Sequence, residues 1–145
     1  MSASRIARVT YQWLAWLFVA CVVVQFFLAG LGVFAGAANF QLHRTWGYTF
    51  GYLLFFMIAA GLIGRMPRAA WAAPIGVIVL FALQSVFVAF RTDAPWIAAL
   101  HPVNAVAIFT VSLWIARSSA AWQRARAQPE ESSTAPDPQA TSEAS

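Results

Sequence analysis

The stretch QFFLAGLGVFAGAANFQLH, Gln25 to His43, decides how the chain is read, because its pattern returns about 59 residues later as QSVFVAFRTDAPWIAALH, Gln84 to His101. In both copies a glutamine sits well inside an apolar run, a connection follows, and a Leu-His pair (Leu42-His43, Leu100-His101) opens the next apolar run. These are the only histidines among the 145 residues. Working outward from the two copies gives four apolar runs, at about 11–34, 43–64, 70–90 and 95–116. Each is near the ~20 residues with which a helix crosses ~30 Å of hydrocarbon at about 1.5 Å per residue. The pattern predicts an all-α fold: an integral membrane four-helix up-down bundle built from two parallel two-helix repeats.

Composition points the same way. AVILMFWYC make up 61% of the chain and charged residues only 10%, against about 25% charged in an average soluble domain. A single soluble domain of this length could not hide that much apolar surface, so the lipid bilayer is its partner. The net charge of +4 comes from nine basic residues, all arginine. They lie scattered at the ends of apolar runs and form no patch, so no nucleic-acid partner is expected. Cys21, the one cysteine, can form no internal disulfide.

The first run competes with a secretory signal, since Ala35-Gly36-Ala37 has the small residues of a cleavage site. Its roughly 22 apolar residues exceed the 7 to 15 or so of a signal core, which favours a span. Gly64-Arg65-Met66-Pro67-Arg68 reads as a tight turn between the second and third runs. Pro74 is expected near the first turn of the third helix, where its missing N–H is tolerated. Pro102 follows His101 directly, so a kink is expected there, with the carbonyl of Ala98 freed and the helical region disfavoured for His101. Residues 117–128 read as a polar extension and 129–145, rich in Pro, Ser, Thr, Ala and Glu, as a disordered tail.

Arginine placement orients the bundle. Arg5, Arg8, Arg65, Arg68, Arg117, Arg124 and Arg126 fall on one side of a four-span arrangement, and only Arg44 and Arg91 on the other. The positive-inside rule then places residues 1–10 and the extension in the cytoplasm. Trp46, Tyr48 and Trp96 at one end, with Trp71, Trp114 and Trp122 at the other, suit an aromatic belt.

With that topology Gln25, Gln84, His43, His101 and Asn104 share the outer half of the bundle. A two-fold along the membrane normal makes the histidines equivalents on the second and fourth helices, which lie diagonally in an up-down bundle. Facing helices build core cofactor sites in this way. Two imidazoles alone would leave a bare metal ion under-coordinated, and no other cysteine, Asp or Glu lies at that depth; a haem brings four nitrogens of its own and needs two axial ligands. His43 and His101 are therefore the candidate metal ligands of a haem b. Gln25 and Gln84 read as bundle hydrogen bonds or as donors behind the ligands. Gly47 and Gly51, on the His43 face, would admit a flat macrocycle or simply a neighbouring helix. Arg44 and Arg91 would meet haem propionates or lipid headgroups. No phosphate loop, Ser-His-Asp set, Cys-x-x-Cys or acidic proton relay occurs within the spans, and no catalytic residue is assigned.

Leu42-His43-Arg44 opening one helix and Leu100-His101-Pro102-Val103-Asn104-Ala105 opening another resemble one four-helix half of the haem A synthase family. The chain also looks like a group of small uncharacterised bacterial four-helix membrane proteins. The resemblance covers roughly residues 10–116 and implies axial ligation by His43 and His101 in a bacterial inner membrane. The chain lacks that family's second half and the acidic residue and cysteine pair of its first outer loop, which argues against synthase activity. Three readings stand: a single-haem membrane protein for electron transfer or haem handling, with a redox or membrane-protein partner; a cofactor-free structural or accessory membrane protein; and a small enzyme acting on a lipid or quinone.

Overall fold

Within hydrocarbon the backbone must satisfy its own polar groups, and the described residues do so with helices alone. The computed structural model describes residues 2–134, with side chains through residue 124; Met1 and 135–145, which hold most of the expected tail, lie outside the described residues. Helix α1 spans Ala3–Phe34, a 3-10 turn follows at Ala37–Asn39, and α2 (Phe40–Gly51) and α3 (Leu53–Ile63) run on as one span. Helix α4 covers Arg68–Ala89, a single turn α5 covers Pro95–Ala98, and α6 covers Leu100–Thr134. Among the described residues four helices are long and apolar enough to cross a membrane: Ala3–Phe34, Ala37–Ile63, Arg68–Ala89 and Pro95–Arg124. Large apolar side chains such as Phe34, Phe27 and Val33 stay exposed at 90%, 65% and 66%, a surface that suits lipid and would aggregate in water.

Packing runs α1 against α2, α3 and α6, and α4 against α3 and α6. The spans therefore circle in chain order, and the second and fourth face each other across the centre. Two boundaries differ from those expected. Helix α1 begins at Ala3 because nothing in residues 3–10 breaks a helix, and both Arg8 and Tyr11 are buried. Helix α6 continues without interruption through 117–128 to Thr134.

The turn between α3 and α4 sits opposite the histidine end. Gly64 caps α3 with ordinary helical angles, and Arg65 takes the left-handed conformation, φ 52°. Met66 N–H reaches the Gly61 carbonyl at 2.9 Å and Arg65 N–H the Leu62 carbonyl at 3.0 Å, the paired bonds of a Schellman ending. A side chain costs about 1–2 kcal/mol in this conformation, partly offset by the chain entropy glycine would lose. Arg65→Gly is accordingly expected to stabilise the protein by about 0.5–1 kcal/mol, read as a raised thermal unfolding midpoint in detergent.

Pro74 lies farther into its helix than expected. Because α4 starts at Arg68, Pro74 falls in the second turn, buried, and deprives the Ala70 carbonyl of its helical donor. The Tyr11 hydroxyl of α1 donates to that carbonyl at 2.6 Å, with Tyr11 and Ala70 both fully buried. Gly61 lets α3 close on the same point, since a Cβ there would stand 3.4–3.6 Å from Trp71, Ala70 and Tyr11. Removing the hydroxyl strands a buried carbonyl, so Tyr11→Phe should cost about 1–3 kcal/mol; a loss within experimental error would show that another donor takes its place.

Pro102 also behaves differently. The break falls earlier, at Ala99 between α5 and α6, and leaves Pro102 as the third residue of α6. First-turn N–H groups have no helical acceptor, so proline forfeits nothing there. His101 is itself helical, the preference against helix before proline being overridden inside that first turn.

Candidate functional site

His43 owes its position to a tight connection. Gly36 turns the chain with φ 118°, a conformation that favours glycine, and the Asn39 side-chain amide donates to the Gly36 carbonyl at 3.1 Å. Phe40 then lays its ring on Gly32, where a Cβ would come within 2.6–2.8 Å of the ring. The Phe40 ring meets His43 edge-on, centroids 6.2 Å apart. His43 follows in the first turn of α2, just as His101 opens α6.

Both imidazoles are held by the same contact. Nδ1 of His43 lies 3.2 Å from the backbone carbonyl of Gln25, and Nδ1 of His101 lies 3.2 Å from that of Gln84. A carbonyl can only accept, so each Nδ1 carries the proton and each Nε2 keeps a free electron pair. The two rings stand with centroids 6.2 Å apart and planes inclined by 56°. A second matched pair braces them. Trp46 Nε1, three residues after His43, donates to the Cys21 carbonyl at 3.0 Å, and Asn104 Nδ2, three residues after His101, donates to the Leu80 carbonyl at 2.8 Å. Trp46 is thus a bond between helices, not the interfacial anchor suggested by its place near the end of the run.

The glutamine side chains break this correspondence. Gln25 Nε2 lies 3.1 Å from His43 Nε2, and with the tautomer fixed at Nδ1 the amide must be the donor. His101 Nε2 has no such partner among the described residues. The side-chain oxygens of Gln25 and Gln84 are both buried without a hydrogen bond.

Both histidines and both glutamines line one cleft of about 960 Å³ at this end of the bundle, within the range of about 300–1,000 Å³ typical of small-molecule and cofactor sites. Arg44 and Arg91 line it too. The Arg44 guanidinium donates to Gln41 at 2.5 Å, and both arginines are exposed. Gly47 lies on the wall, and what it accommodates is the Gln25 amide: a Cβ there would sit 2.9 Å from Gln25 Nε2. Gly51 falls outside the lining, 3.6 Å below the Phe81 ring by the same measure. Asn104 is buried and also outside the lining, its amide bound to Leu80. The residues singled out from sequence thus gather at one end, with Gly51 and Asn104 beneath the cleft.

The floor was not identified from sequence. Phe18, Phe50 and Phe81, from three different spans, pack with ring centroids 5.3 Å (Phe18–Phe50), 5.4 Å (Phe50–Phe81) and 5.9 Å (Phe18–Phe81) apart. Phe50 and Phe81 line the cleft, and Phe18 packs behind them. A signal existed: Phe18 lies two turns before Gln25 and Phe50 two turns after His43, which puts each on the same face as its polar partner.

The chain contains a match, over residues 25–92, to the model of a family of unknown function, DUF6220. The matched stretch covers just under half of the chain, including Gln25, His43, Gln84 and Arg91, and stops short of His101. No curated protein and no solved structure matches the chain. A resemblance to the haem A synthase family therefore receives no support from these comparisons, whereas a small four-helix membrane protein of unknown function agrees with both the fold and the family model.

Proposed function

We propose that the chain binds a single b-type haem between His43 and His101, for electron transfer or haem handling, in a multi-pass protein with both termini cytoplasmic. The observation that carries this reading is the disposition of the two rings. The two rings line one cleft with centroids 6.2 Å apart, and both Nδ1 atoms are tied to carbonyls, which leaves Nε2 as the atom each would offer to a metal. Among the described residues no group of three or more His, Cys, Asp or Glu could hold a bare metal ion. The donor set thus suits a metal that arrives with equatorial ligands of its own.

His43 and His101 would be the axial ligands, and Gln25 and Gln84 orient them through their backbone carbonyls. Arg44 and Arg91 place two cations at the cleft, where anionic substituents of the ligand would pair with them. Phe50 and Phe81 exclude water from below. Haem supplies a one-electron couple whose potential follows the axial ligands, burial and nearby charge. The matched hydrogen bonds in the two halves also support the two-fold repeat. The test is a spectrum of the purified full chain in mild detergent with haemin supplied: a Soret band with low-spin character is expected, and its absence overturns the proposal.

One observation favours the second reading, a cofactor-free structural or accessory protein. The Gln25 amide already satisfies His43 Nε2, as a purely structural hydrogen bond would. The same spectrum decides between the two.

A further inference from the structure

The two histidines have the same tether and different partners at the atom that would ligate. His43 Nε2 accepts from the Gln25 amide at 3.1 Å, and Gly47 leaves room for that amide, since any Cβ would stand 2.9 Å from it. The counterpart Gln84 makes no such bond to His101, whose one hydrogen bond runs from Nδ1 to the Gln84 carbonyl. Detaching each histidine from a metal therefore has a different cost. A released His101 Nε2 would have no protein donor placed for it, whereas a released His43 Nε2 is received by Gln25.

We infer that the two axial positions are inequivalent: His101 is the permanent ligand, and His43 is displaceable, with Gln25 as its alternative partner, so that the site takes a small neutral diatomic ligand on the His43 side. The inference rests on the haem reading and adds a binding activity to it. Gln25 acts here as a positioning residue that stabilises the displaced imidazole. Nothing is oxidised or reduced in the exchange; one ligand nitrogen leaves the metal, accepts a hydrogen bond from the amide, and the incoming ligand takes its place. Distal hydrogen-bond donors and steric access are the features by which a haem site selects such ligands.

Carbon monoxide serves as the probe, added to the haem-loaded, reduced full chain in detergent. The wild-type protein is expected to convert from a low-spin to a CO-bound spectrum. Gln25→Leu removes the alternative partner and should weaken CO binding about tenfold, since one net hydrogen bond of about 1–1.5 kcal/mol is lost from the displaced state only. His43→Ala should retain haem, become high-spin and bind CO without competition, while His101→Ala should lose most of its haem. A low-spin Soret spectrum that CO leaves unchanged, Gln25→Leu with wild-type CO affinity, or equal haem loss in the two histidine variants would overturn the inference and leave the haem reading standing. No Soret band in the wild-type protein would remove both.

Discussion

Replacing His43 and His101 together with alanine is expected to abolish the low-spin haem spectrum and to weaken haem binding by more than about 100-fold. Substitutions merely next to a metal ligand already cost about 10–100-fold in affinity, and here both proposed ligands go at once. The fold should survive. Each imidazole is only half-buried, and the carbonyls that lose it, those of Gln25 and Gln84, remain within their own helices. Circular dichroism of the double variant should thus stay helical while the Soret band disappears. A double variant that keeps an unchanged low-spin spectrum would show that the iron is held elsewhere.

The second large effect concerns the floor of the cleft. Phe50 is 4% exposed and touches Phe18 and Phe81 edge-on, with Trp46 6.2 Å away. Phe50→Ala removes a ring that three spans share, and buried Phe→Ala changes cost about 3–5 kcal/mol when neighbours cannot collapse into the space. The surrounding helices are pinned by Trp46–Cys21 and Asn104–Leu80 just above, which limits such collapse. Phe50→Leu should recover much of the loss. Unfolding in detergent that shifts by less than about 1 kcal/mol for Phe50→Ala would mean that the trio is not a packing centre.

The four spans were legible in the sequence because one physical length, the thickness of hydrocarbon, sets how long an apolar run must be. The convergence of Gln25, Gln84, His43 and His101 was legible for a related reason: the same Gln-to-His offset, recurring across two successive outer connections, predicts similar depths for the two pairs. Finer placement was not. The i, i+4 rule assigns Gly47 and Gly51 to one face but does not say which neighbour fills that face, and the answers are an amide for one and a phenyl ring for the other. Trp46 near a helix end looked interfacial because hydropathy places a residue by depth and cannot tell lipid-facing from inward-facing positions. The destination of the Tyr11 hydroxyl depended on the register between α1 and α4, which no local pattern encodes.

That hydroxyl bears on how the protein is made. Taken singly, α4 would leave the Ala70 carbonyl that Pro74 opens without a donor from its own helix. The donor it needs belongs to α1, which is synthesised before α4. Docking on the first span therefore supplies the third with a donor that its own helix lacks, and that single residue pair favours one register of α4 against α1.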